Sequence, residues 1–357
     1  MKELTITGRN SGSKLLIGET LQNLKNYLPP DRVIVIADSR VDQLYRQHYN
    51  RYQVILAGEG EGIKNLTTVE RIYGEMLDLE VDRSWFVVGI GGGVACDLAG
   101  YVASTFMRGL RFGFVSTSLL SQVDASLGGK NGVNFRGYKN HIGTFNQPEF
   151  VICDAAMLST LPLKEVLSGF GEIVKHALIA DETMFRFLEE HLREAVGLHH
   201  GVVEYLVYTS AVIKSGVVNR DETEKGERRV LNFGHTLAHA IEKCSSQYTH
   251  GEAVSIGMAA ASIVSLQQGR ISEETVERIL KLLKNLGLPL KTGIDKTLLI
   301  DAMRHDKKRD DDGIDLVLLD GIGKCVIVRS PLASTADLAN AIDLIDDDGH
   351  LINLTAL

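Results

Sequence analysis

A chain of 357 residues with 38 Lys plus Arg against 46 Asp plus Glu has a formal charge of −8, which argues against a general nucleic-acid or anionic-membrane surface and asks any anionic ligand to meet a local cluster of cations. The length exceeds one compact core, and 44% hydrophobic with 24% charged residues is ordinary for a globular enzyme, so two domains are expected. The four cysteines (Cys96, Cys153, Cys244, Cys325) are far apart with no C-x-x-C, the N-terminus MKELTITGRN lacks an apolar signal core, and the longest uncharged run, Ala253–Gly269, is too short for a bilayer; no disulfide framework, thiolate zinc site or membrane span is expected, and the location is cytoplasmic by default.

Strand and helix signals alternate through the first half. The β-branched runs Arg32–Asp38 and Tyr52–Gly58 read as buried strands, and Thr67–Leu79 has helical apolar spacing behind a Thr N-cap. Trp85–Gly93 is a strand running into glycines, followed by a helix over Asp97–Thr105 and strands at Arg111–Thr117 and Phe150–Ala155. That order predicts a parallel sheet with ligands at its C-terminal edge. Beyond Thr160–Glu165 helical periodicity takes over, near Leu167–Ile179, Met184–Ala195, Val203–Val218, Thr236–Cys244, Ala253–Gln268 and Glu273–Leu286. Ile314–Val328 reads as a late hairpin turning at DGIG, and the charged stretch Arg304–Gly313 as a solvated loop. The expected class is α/β: a nucleotide-binding parallel-sheet domain over 1–162 and a mainly helical domain over 163–357.

Several stretches carry usable polar groups. GIGGGVACD (Gly89–Asp97) places four glycines between a strand and a helix, where bare backbone can approach a pyrophosphate. Val94 breaks G-x-G-x-x-G, so the stretch is nucleotide-like without the standard dinucleotide fingerprint, or a tight structural turn. GEGEGIK (Gly58–Lys64) offers Glu59 or Glu61 to ribose hydroxyls and Lys64 as a charge, or is a surface turn; Ser116–Ser118 adds hydroxyls at another strand end. DASLGGKNGVNFRGYKNHIG (Asp124–Gly143) reads as a glycine-rich loop in which Lys130, Asn131, Asn134, Arg136, Lys139 and Asn140 suit an anionic, hydroxylated substrate. In SGFGEIVKHALI, Glu172, Lys175 and His176 share one helical side. A carboxylate there is costly to bury unless it binds a metal, with two histidines, or pairs with Lys175. His235 and His239 in NFGHTLAHAIE also share a side, behind Arg228 and Asn232, and Thr236 and Leu237 exclude an H-E-x-x-H protease motif. A third histidine, His250, opens HGEAVSIGM.

Taken in order, GGGVACD, GGKNGVN, YKNHIG, GEIVKHALI, NFGHTLAHAIE and HGEAVSIGM resemble the 3-dehydroquinate synthases of the shikimate pathway, over roughly Gly58 to Met258 with a continuation through His305–Lys308. The resemblance implies the fold shared with glycerol-dehydrogenase-like enzymes, NAD bound catalytically, a divalent metal (zinc or cobalt) and a homodimer. It maps the metal ligands onto Glu172, His235 and His250, and leaves His239 as a substrate-contacting, proton-handling histidine. Substrate positions fall on Asp124, Lys130, Asn140, Lys175, Lys214, Arg228, Asn232 and His239, with Arg108 reaching the substrate phosphate of the partner subunit, and on either Lys307 or Lys308. NAD positions fall on Asp38, Glu61, Lys64, Gly92, Gly93, Asp97, Thr117, Ser118, Lys139 and Thr160. Ser118, Asn131 and His141 depart from the residues usual in the family.

The implied substrate is 3-deoxy-D-arabino-heptulosonate 7-phosphate, converted to 3-dehydroquinate by transient oxidation at C5, β-elimination of phosphate, re-reduction, ring opening and intramolecular aldol closure. A carboxylate and a phosphate match the cluster of Lys and Arg. A sister cyclase taking sedoheptulose 7-phosphate or an aminoglycoside precursor, an amino-substituted heptulosonate, a metal-dependent polyol dehydrogenase and an inactive NAD-binding protein are the alternatives. Intact Arg228, Asn232 and His239 favour the heptulosonate.

Overall fold

The structure, a computed structural model, describes residues 1–8, 12–307, 313–331 and 334–352, without the side chains of 305–307. Lys308 and the side chain of Lys307, the two alternatives for the last substrate lysine, lie outside the described residues. The chain forms two compact units, Met1–Leu161 with Val203–Thr223, and Pro162–Val202 with Glu224–Leu357.

In the first unit the elements run β1 (Lys2–Thr7), β2 (Gly12–Ile17), β3 (Val33–Asp38), α1 (Ser39–Tyr45), β4 (Gln53–Gly58), α2 (Leu66–Asp78), β5 (Phe86–Gly91), α3 (Gly93–Thr105), β6 (Arg111–Ser116), β7 (Lys130–Phe135), β8 (Tyr138–Phe145) and β9 (Phe150–Cys153). Among the described residues these give a seven-stranded sheet in the order β1-β2-β9-β6-β5-β3-β4. Every neighbouring pair is parallel except β1 with β2. The near-continuous apolar runs of β3, β5 and β9 follow from burial on both faces. Leu16, Val35, Val88, Ile90, Val115 and Ile152 share one core cluster under one face. The chain passes from β3 to β4 on one side and then to β5 on the other. The strand order therefore reverses between β3 and β5, where the carboxyl ends of a parallel sheet open a crevice.

The stretch expected as a glycine-rich loop after Asp124 is instead an antiparallel hairpin of β7 and β8, with Val133 opposite Ile142 and Gly132 opposite Gly143. The two glycines allow the backbones to touch: a Cβ on Gly143 would stand 2.5 Å from the carbonyl oxygen of Asn131. Arg136 and Gly137 turn the hairpin in the left-handed region, at φ 49° and 82°. That turn suits Asn-Gly, and an arginine at its first position conceals it in the sequence. β1 and β2 lie outside the expected strands; β1 is short and buries little besides Ile6.

Next come α4 (Leu163–Ala180), α5 (Glu182–Glu190) and α6 (Leu192–Val196) of the second unit, and α7 (His200–Arg220), which belongs to the first unit from Val203 onward. The second unit resumes with α8 (His235–Cys244), α9 (His250–Gln267), α10 (Glu273–Asn285), α11 (Lys296–Lys307), the hairpin β10 (Ile314–Gly321) and β11 (Lys324–Ser330), and α12 (Ser334–Ala341). The expected late hairpin is present with its turn within DGIG. α7 is long and apolar enough to cross a membrane by length and composition, and half of that stretch is buried in the folded chain.

Candidate active site

In the first unit, most positions expected to hold NAD follow the carboxyl ends of the parallel strands, while Lys139 lies on β8, outside that sheet. Asp38 closes β3 and caps α1, accepting from the N–H groups of Arg40 (2.9 Å) and Val41 (3.2 Å). Gly91 ends β5 in bare contact with both neighbours: a Cβ there would lie 2.6 Å from Ala95 Cβ and 3.0 Å from Asp38 Cβ. Gly92 is the N-cap of α3 and offers no side chain, so the first-turn N–H groups and the positive end of the helix face the crevice uncapped. This is the backbone setting a pyrophosphate requires, without the third glycine. Thr117 N–H donates to Gly91 O at 2.9 Å, and Ser118 is fixed through Ser121 Oγ at 2.9 Å.

Lys64, almost fully buried, donates to Asp97 Oδ2 at 2.6 Å. Burial pushes the Asp97 carboxyl up, and Lys64 opposes it. Glu61 Oε1 accepts from Asn134 Nδ2 at 2.7 Å, and Thr160 Oγ1 lies 3.1 Å from the Tyr45 hydroxyl. Lys130 opens β7, and Lys139 and Asn140 are exposed on β8; Asn140 N–H donates to Asn134 Oδ1 at 3.0 Å. On α7, Lys214 donates to Asp124 twice, to Oδ1 at 2.6 Å and to the carbonyl at 2.7 Å. Arg108 is exposed on a left-handed turn after α3, at φ 69°.

The second unit gathers Glu172, His235 and His250. Glu172 is completely buried on α4, with Oε1 3.2 Å from His250 Nε2 and 3.5 Å from His235 Nε2. Its other oxygen, Oε2, meets Lys175 Nζ, itself buried. One carboxylate oxygen thus pairs with lysine and the other turns to the two histidines. The three ligand atoms lie within 4.8 Å of one another, which fits one ion held at about 2.0–2.2 Å by nitrogen and oxygen donors. His235 Nδ1 is 3.1 Å from the carbonyl oxygen of Phe233, which directs Nε2 at Glu172.

Burial pushes His235 well below the usual histidine range, assisted by the charge of Lys175, so it stands neutral and ready to ligate. In His250 burial also disfavours the charged form, but hydrogen bonds to Glu172 and Glu242 outweigh it and push the group up to about 10. His239 is one turn beyond His235, exposed, with the two rings edge-on at 5.5 Å. Arg228 is 2% exposed in the turn Glu227–Asn232 that leads into α8, and Asn232 Nδ2 donates to Glu224 Oε1 at 2.7 Å.

Two features of this centre escaped the sequence reading. The first is Glu242, seven residues after His235 and on the same helical stripe, a spacing that was available. The second is a set of glycines that bring three helices to backbone contact. A Cβ on Gly251 would lie 2.0 Å from Ser168 O, and one on Gly171 2.7 Å from Gly251 Cα, so α4 and α9 touch where Glu172 and His250 must meet. A Cβ on Gly257 would lie 1.9 Å from Gly234 O, which seats the start of α8, and hence His235, on α9. Gly251→Ala is expected to cost about 1–3 kcal/mol through overpacking and to weaken metal binding by roughly tenfold or more as α9 moves off α4. Urea unfolding and a metal titration read both, and normal values of the two would contradict the close-contact role.

Residues 54–168 match the family described as 3-dehydroquinate synthase N-terminal, and residues 169–309 the one described as 3-dehydroquinate synthase C-terminal. A protein of Dehalococcoides mccartyi named 3-dehydroquinate synthase is 40% identical over 344 residues, 92% of this chain and 95% of that one. Among solved structures, a 2-deoxy-scyllo-inosose synthase complexed with carbaglucose-6-phosphate, NAD+ and Co2+ matches with a TM-score of 0.85 at 28% identity, over 96% of this chain and 100% of that one. The 2-epi-5-epi-valiolone synthase from Streptomyces hygroscopicus subsp. jinggangensis, with NAD+ and Zn2+ bound, gives 0.85 at 27% identity, over 96% and 97%. A probable glycerol dehydrogenase from Sinorhizobium meliloti, 17% identical, shares the fold at a TM-score of 0.65 over 92% and 95%. Both halves of the sequence and the fold lead to one assignment: the chain belongs to the 3-dehydroquinate synthase family.

Proposed function

We propose that the chain converts 3-deoxy-D-arabino-heptulosonate 7-phosphate to 3-dehydroquinate and phosphate, with NAD and a divalent metal, zinc or cobalt, as cofactors. The observation that carries the reading is the Glu172–His235–His250 trio, buried at Glu172 and His235 and half-buried at His250, with Lys175 on the second oxygen of Glu172, in a chain similar along most of its length to proteins named for this activity. When bound, the metal supplies a Lewis acid for a substrate hydroxyl and NAD a reversible hydride acceptor.

The chain's own residues do the rest. The uncapped start of α3 at Gly92 and Gly93 takes the pyrophosphate of NAD, Asp38 and Glu61 the ribose hydroxyls, and Lys64, Asp97, Thr117, Ser118, Lys139 and Thr160 complete its binding. Lys130, Lys175, Lys214 and Arg228 neutralise the substrate's carboxylate and phosphate. Asp124, Asn140 and Asn232 orient its hydroxyls, and exposed His239 moves a proton at the ring. Phosphate leaves by β-elimination, one of its own oxygens serving as the base.

In this reading residues 1–162 carry NAD, residues 163–357 carry the metal and much of the substrate, and the chain works as a homodimer in which exposed Arg108 serves the substrate phosphate of the partner subunit. It is a soluble biosynthetic enzyme acting in the cytoplasm. The test is to supply the heptulosonate phosphate and sedoheptulose 7-phosphate separately, with NAD and zinc, and identify the products by NMR. A carbocycle formed from the heptulosonate alone is expected; one formed from sedoheptulose 7-phosphate instead would overturn the substrate assignment.

A further inference from the structure

Glu242 has no part in the reading above. It follows His239 by three residues and His235 by seven, so one stripe of α8 carries all three. Its side chain is 8% exposed, and Oε1 stands 3.4 Å from His250 Nδ1 while Nε2 of the same ring faces Glu172 Oε1 at 3.2 Å. An imidazole that ligates through Nε2 keeps its proton on Nδ1, and an acceptor at Nδ1 settles both the tautomer and the rotation of the ring. His235 has a backbone acceptor, the carbonyl of Phe233 at 3.1 Å. His250 depends on a side chain, and that side chain comes from the helix that also supplies His235.

A carboxylate at this place does more than hold the ring, since its negative charge raises the basicity of the opposite nitrogen. His250 is also the first residue of α9, where side-chain rotation is least confined by the helix itself. We propose that Glu242 is a positioning residue of the metal centre: it holds His250 with Nε2 toward Glu172 and thereby sets the affinity for a divalent cation. The inference rests on the metal reading of the trio.

The test uses the full chain stripped of metal, with Zn2+ titrated against a chelator of known affinity and Co2+ followed by its visible absorption. Glu242→Ala is expected to weaken Zn2+ binding by about 10–100-fold and to alter the Co2+ spectrum, with NAD affinity unchanged. Glu242→Gln keeps an acceptor oxygen without the charge and is expected to recover part of the loss, remaining about threefold to tenfold weaker than the parent. Should the alanine variant not fold, the glutamine variant decides. Zn2+ affinity within twofold of the parent in a folded variant would overturn the role of Glu242. A parent chain that binds neither ion would overturn the metal reading itself, and the inference with it.

Discussion

Glu172→Gln is expected to yield a protein that binds NAD, holds no zinc at stoichiometric concentration and turns over about 10³-fold more slowly or worse. The substitution changes little but charge, and the charge serves two partners. One oxygen of Glu172 faces His235 and His250, and the other pairs with Lys175, with the glutamate side chain 0% exposed and the lysine 2%. Removing it leaves a buried ammonium without its counter-charge, a loss of about 3–5 kcal/mol in unfolding free energy.

The two consequences separate in a double variant. Adding Lys175→Met to Glu172→Gln should restore much of the stability, because the orphaned charge is gone, while metal content and turnover stay lost. Urea unfolding, metal analysis and phosphate release measure the three quantities. A Glu172→Gln protein that retains zinc at parental affinity would mean the trio is a hydrogen-bonded cluster and not a metal centre.

The affinity for zinc is expected to rise about tenfold per pH unit across neutral pH, roughly 100-fold from pH 6.5 to 8.5. His250 is raised from its ordinary 6.5 to about 10 in the metal-free chain, so it carries a proton that the ion must displace. His235 is held well below its ordinary range and adds none. Calorimetric titration at pH 7.5 in buffers of different ionisation enthalpy should report about one proton released per ion, and none released would contradict the protonated state of His250.

The same shifts set the stability of the metal-free protein. The raised His250 contributes stability that is complete below 6.5 and is lost as pH climbs toward about 10. The lowered His235 contributes stability that is present above 6.5 and is lost as pH falls below it. These two groups together place their optimum near 6.5, and zinc should flatten the alkaline side.

The β-branched runs of β3, β5 and β9 announced the sheet, because strands buried on both faces cannot be anything but apolar. The glycines after β5 announced a ligand edge for a local reason, the bare N-terminus of α3. Glu172, His235 and His250 were named by resemblance; chemistry alone left a metal and a buried Glu172–Lys175 pair as rivals, and the two oxygens of Glu172 accommodate both. What stayed illegible depends on contacts between segments distant in sequence. Gly171 has meaning only against Gly251, and Gly234 only against Gly257. Glu242 reads as a surface helix residue until His250, from the next helix, is placed beside it. The hairpin of β7 and β8 hid because glycine and asparagine fill the positions where alternation would have appeared. α7 reads as one more helix of the helical half, whereas most of it belongs to the first unit, where Lys214 joins Asp124.

The internal redox cycle is tested most directly by following inorganic phosphate and NADH absorbance together, with purified chain, zinc, NAD and the heptulosonate phosphate. Many equivalents of phosphate per enzyme with no net NADH are expected, with loss of both the phosphate signal and product on chelation. Accumulation of NADH in step with substrate consumption would make the protein a plain dehydrogenase and contradict the internal redox cycle.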